Sequence, residues 1–84
     1  MKWELYLVEC ADGTTITEET TNTKEKSVVV TNYGHQVALM KQVKEVRHLK
    51  NKTKLEYWDV VETTYLPTVA EAKAEGERWL NGIQ

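Results

Sequence analysis

Drawn as an extended chain, residues 3–10 put Trp3, Leu5 and Leu7 on one face and Tyr6, Val8 and Cys10 on the other. Both faces are apolar, so a central strand covered on both sides is expected. Ala11-Asp12-Gly13-Thr14 follows as a polar turn. Residues 14–20 then fit an antiparallel return strand. They are β-branched but polar, with Ile16 the only large aliphatic, which suits a sheet edge.

The next segment carries two opposed signals. Asn22-Thr23-Lys24-Glu25 has the form of a helix capping box, and Val29, Val30 and Tyr33 share a helical stripe ending at Gly34. This predicts a short helix over 23–33. Against it, Val28-Val29-Val30-Thr31 is poor helix material, because β-branched side chains lose rotamer freedom against the preceding turn. A strand over 27–33 is the alternative.

Over 36–49 the apolar residues spread too widely around a helical wheel for a clean stripe, and a strand explains them better. Pairing it with 55–65 across the loop Lys50-Asn51-Lys52-Thr53 sets Arg47 opposite Glu56, Lys44 opposite Asp59 and Lys41 opposite Glu62. Opposite charges across a ladder are favourable, and they select this hairpin and register. Pro67 then ends the strand, and Thr68-Val69-Ala70-Glu71 caps a helix. Val69, Ala72, Gly76, Trp79, Leu80 and Ile83 form its apolar stripe, with Asn81-Gly82 as the stop. The small residues Ala72 and Gly76 let the helix approach a sheet closely, with Trp79 filling the core beyond them.

The expected fold is therefore one α+β domain over 1–84: about four antiparallel strands with helices on one face, in the order ββαββα. If 27–33 is a strand, the pattern becomes a five-stranded meander with a C-terminal helix. With 84 residues the chain supports one modest core, and 40% apolar and 29% charged residues are ordinary globular values.

Charge adds one feature. The net charge is −2, yet residues 41–54 hold Lys41, Lys44, Arg47, Lys50, Lys52 and Lys54 against a single acid, Glu45. A hairpin so loaded, with Tyr57 and Trp58 beside it, has the means to follow a phosphate backbone and stack on bases. The competing account is a solvated turn whose strand charges are matched across the ladder.

Candidate chemistry is sparse. The one cysteine, Cys10, excludes an internal disulfide. His35 and His48 belong to no metal-binding spacing, and Ser27, the single serine, has no nucleophile-elbow motif around it. No glycine cluster suits phosphate binding, so neither a cofactor nor a small-molecule substrate is expected, and the chain does not read as an enzyme. The N-terminus runs straight into a strand pattern without a signal peptide, and no apolar run is long enough to span a bilayer; a cytoplasmic location without membrane association is expected. The leading expectation is a non-catalytic interaction domain that binds a protein partner or itself through a sheet face or edge, with Tyr6, Val8, Tyr57 and Trp58 as candidate interface residues. The alternative is a nucleic-acid-binding module using the basic hairpin.

Overall fold

Four tight turns fold the N-terminal three-quarters of the chain back and forth into a meander. In the computed structural model, which describes residues 1–82, the strands are β1 (Glu4–Glu9), β2 (Thr15–Asn22), β3 (Lys26–Asn32), β4 (Val37–His48) and β5 (Lys54–Leu66). They form one antiparallel sheet in sequence order, and the helix α1 (Val69–Leu80) closes the chain. The five-stranded alternative is therefore the fold, and the ββαββα order is not.

The difference lies at residues 23–33. Thr23 begins a hairpin turn: its N–H donates to the Lys26 carbonyl at 2.8 Å, and its hydroxyl accepts from the Lys26 N–H at 3.2 Å. The side-chain oxygens expected to cap a helix shape a turn instead. β-branching then decides the conformation, because an extended β3 points Val28 and Val30 together toward the core, where both are buried. Gly34 does adopt positive φ (92°), but inside the β3–β4 turn, where Asn32 Oδ1 accepts its N–H at 2.9 Å.

The order of the outer strands also departs from expectation. β1 lies at the sheet edge, and polar β2 lies inside, between β1 and β3. On the helix side β2 contributes Glu19 and Thr21; Glu19 pairs with Lys73 of α1, and the buried Thr21 hydroxyl donates to the Lys2 carbonyl at 2.7 Å. Polar side chains reach the interior here because each has a partner.

The helix begins as expected: Thr68 Oγ1 accepts from the Glu71 N–H at 3.2 Å. Ala72, Gly76 and Leu80 are its buried residues, and they rest on Val28, Val30, Val37 and Leu39 of β3 and β4. Trp3, Leu66, Val69 and Trp79 are half-buried around this core. Trp79, expected deep inside, is thus a flank of it, with the Lys26 ammonium 4.9 Å from its ring centre. Ile83, expected in the same stripe, lies outside the described residues.

Between β4 and β5 the sequence-predicted register holds only for the half nearest the helix, where Lys41 faces Glu62 and Val37 faces Leu66. A bulge then intervenes. Gln42 pairs with Val60, so Val61 is the extra residue, and beyond it Lys44 faces Trp58, Val46 faces Glu56 and Arg47 faces Leu55. Charge pairing predicted a continuous ladder. The Val60-Val61 pair breaks it, because two apolar residues lie where strict alternation allows one on each face.

Candidate protein interface

A single twelve-residue helix cannot cover five strands. α1 lies over the middle of one face, and register assigns the opposite face to Tyr6 and Val8 of β1, Ile16 of β2, Val29 of β3, Ala38 and Met40 of β4, and Trp58, Val60 and Tyr65 of β5. Val61, the bulged residue, lies on the same face as Val60, since Glu62 next to it faces the helix. The densest apolar column runs along β5. Tyr65 is 60% exposed and Val61 53%, with Val60 and Trp58 following and Ala38 and Met40 beside them on β4. The Lys44 ammonium sits 5.4 Å from the centre of the Trp58 ring and closes one end of the column with positive charge.

Of the four residues expected to form an interface, Tyr6, Val8 and Trp58 share this face, but they do not form one patch. β1 and β5 are separated by three strands, about 19 Å at ordinary strand spacing. Tyr57 pairs with Glu45 and lies on the helix side. Tyr65 joins this face, and the residues that sequence reasoning passed over are Val60 and Val61. The signal for them was the adjacent valine pair in an alternating strand.

The six basic residues also separate. Lys41 is buried beneath the helix, 3.4 Å from Glu62 and 3.8 Å from Glu75, and is unavailable to a ligand. Glu62 accepts from the Thr64 hydroxyl and from Lys41, which together hold its carboxyl below the usual carboxylate range. Lys54 pairs with Glu56 at 3.9 Å. The bulge undoes the other two matches, so among the described residues Lys44, Arg47, Lys50 and Lys52 have no ion-pair partner. The last β3–β4 pair is Lys26–Val43, and the Lys44 N–H still donates to the Glu25 carbonyl at 2.8 Å, so residues 45–57 run on as a two-stranded ribbon past the rest of the sheet. A shallow depression lined by Glu25, Lys26 and Val43–Val46 marks where the ribbon departs.

Elsewhere, His35 and His48 are exposed, Cys10 is half-buried at the end of β1, and among the described residues no three His, Cys, Asp or Glu side chains cluster as metal ligands. No described helix is long and apolar enough to cross a membrane. The chain matches no family model, no curated protein and no solved structure.

Proposed function

We propose that this protein is a non-catalytic interaction domain that binds another polypeptide through the bare face of β4 and β5. The observation that carries this is the column Tyr65, Val61, Val60 and Trp58, apolar side chains held side by side in water on a rigid strand. Contiguous apolar patches of this kind mark binding surfaces, and aromatic residues are their usual anchors. Lys44 at the Trp58 end favours a partner whose apolar surface is bordered there by carboxylates.

Photo-crosslinking in the cell that makes the protein tests this. A benzophenone side chain at Tyr65 should give a discrete protein adduct that disappears when Val61→Lys is added. The same probe at Tyr33, exposed in a turn, should not give it. Equal labelling from Tyr65 and Tyr33, or an adduct indifferent to Val61→Lys, would overturn the proposal.

A second reading is supported by the ribbon. Lys44, Arg47, Lys50 and Lys52 lack ion-pair partners, and a two-stranded ribbon is narrow enough to enter a nucleic-acid major groove. Affinity for duplex DNA, measured by fluorescence anisotropy, should then fall steeply with salt and vanish in Lys50→Glu/Lys52→Glu. Absent or salt-insensitive binding removes it.

A further inference from the structure

The two edges of the sheet are built differently. β5 has the features that keep an edge from pairing: a bulge in mid-strand and the charges Lys54, Glu56, Asp59 and Glu62. β1 has none of these between its terminal glutamates. Its middle is Leu5, Tyr6, Leu7 and Val8, and on the helix side Leu5 is 60% and Leu7 72% exposed.

The backbone shows which groups this edge offers. The Cys10 N–H donates to the Thr14 carbonyl at 2.8 Å, which makes Cys10 and Thr14 a hydrogen-bonded pair. Such pairs alternate along an antiparallel ladder, so Val8, Tyr6 and Glu4 bond to β2. Leu5, Leu7 and Glu9 therefore turn their N–H and C=O groups outward, with no strand beyond them.

We infer that β1 pairs antiparallel with β1 of a second copy about a two-fold axis at Tyr6, giving a continuous ten-stranded sheet. Facing residues in such a pair lie on one side of the sheet, so the axis must pass through a residue and not between two. Tyr6 and Leu7 are the central choices. With Leu7 on the axis, Leu5 faces Glu9 of the second copy. With Tyr6 there, Leu5 faces Leu7 twice over, and four exposed leucines close into one seam on the helix side. Glu4 then faces Val8 and Glu9 faces Trp3, so no carboxylate opposes another. Leu5 and Leu7 are also the residues with outward N–H and C=O groups, so these pairs are hydrogen-bonded. Growth stops at two copies because the free edges of the dimer are both β5. This surface is separate from the β4–β5 face, and the inference extends the interaction reading without depending on it.

Sedimentation velocity on the full chain across the micromolar range tests it. The wild type should run at twice the mass of one chain. Leu7→Pro should run as one chain with an unchanged circular dichroism spectrum, since that N–H makes no bond within the monomer. Leu5→Lys/Leu7→Lys gives the same reading by charge repulsion if proline disturbs the strand. In a Cys10→Ser background, Tyr6→Cys should form an intermolecular disulfide across the axis on mild oxidation, whereas Val8→Cys should not. A monomeric wild type, a dimer that survives Leu5→Lys/Leu7→Lys, or equal cross-linking from positions 6 and 8 would each overturn the inference. Tyr65 photo-crosslinking in Leu5→Lys/Leu7→Lys then reports on the bare face alone, so the two proposals fail separately.

Discussion

Gly76 lies so close to Val28 that a Cβ built on it would stand 3.2 Å from Val28 Cγ2 and 3.3 Å from Leu39 Cδ1. Val28 and Leu39 are completely buried, so neither has free space to retreat into. Gly76→Ala gains about 1 kcal/mol of helix propensity. Overpacking in a closed core costs about 1–3 kcal/mol. Packing wins here, and urea unfolding should show a net loss of about 1 kcal/mol. Val28→Ala should partly rescue Gly76→Ala. A Gly76→Ala protein more stable than wild type would mean that the helix can lift from the sheet without loss.

The Trp3 Nε1–H donates to Glu77 Oε2 at 2.8 Å, and the Lys73 ammonium lies 5.4 Å from the centre of the same ring. These contacts tie the start of edge strand β1 to the helix. Trp3→Phe keeps most of the ring but removes the donor, and a half-buried bond to a carboxylate is worth about 1–2 kcal/mol. Hydrogen exchange should show β1 amides bonded to β2 becoming faster while β3 and β4 stay protected. Uniform acceleration across the sheet would show that Trp3 supports the whole core and not this edge alone.

The parts of the fold that are legible in the sequence are those where the local signals do not conflict. α1 was readable because its cap, its small-residue stripe and its stop agree, and the β4–β5 hairpin because complementary charge marks Lys41 and Glu62 as neighbours. The helix expected over 23–33 fails at its start, because the Asn22 and Thr23 side chains serve a helix cap and a hairpin turn equally well. β1 reads as a central strand because its two apolar faces imply cover, and nothing local tells a covered strand from an edge open to association. The bulge at Val61 redrew the candidate site: it moved the register by one residue, released Lys44 and Arg47 from their expected partners, and put Val60 and Val61 on one face.

Lys41 is buried, whereas its partners Glu62 and Glu75 both keep access to water. Removing the lysine therefore leaves only solvated carboxylates behind. Removing both carboxylates leaves a buried charge unpaired. Lys41→Met should change stability by less than about 1 kcal/mol, and Glu62→Gln/Glu75→Gln should lower the melting temperature clearly further than Lys41→Met does. The pH dependence has a fixed sign. The Glu62 carboxyl is held low by the Thr64 hydroxyl and by Lys41, so its contribution is complete above the usual carboxylate range and disappears as pH falls through its lowered value. Thermal melts should show a shallower acid loss in Glu62→Gln than in wild type. Identical acid profiles would show that Glu62 carries none of this dependence.

Lys52, at the ribbon tip, has a φ of 67°, the one non-glycine residue in the left-handed region among those described. Its N–H donates to the Leu49 carbonyl at 3.2 Å, and the Leu49 N–H donates to the Thr53 carbonyl at 2.8 Å, so the turn closes only with this residue left-handed. An L side chain there costs about 1–2 kcal/mol, which glycine avoids. Lys52→Gly should raise stability by about 0.5–1 kcal/mol after the greater chain entropy of glycine is set against that gain. Lys52→Ala, which removes the charge but keeps the Cβ, should leave stability within about 0.5 kcal/mol of wild type. Equal stabilisation by Ala and Gly would assign the gain to relieved repulsion from Lys50 and Lys54 instead of to the backbone.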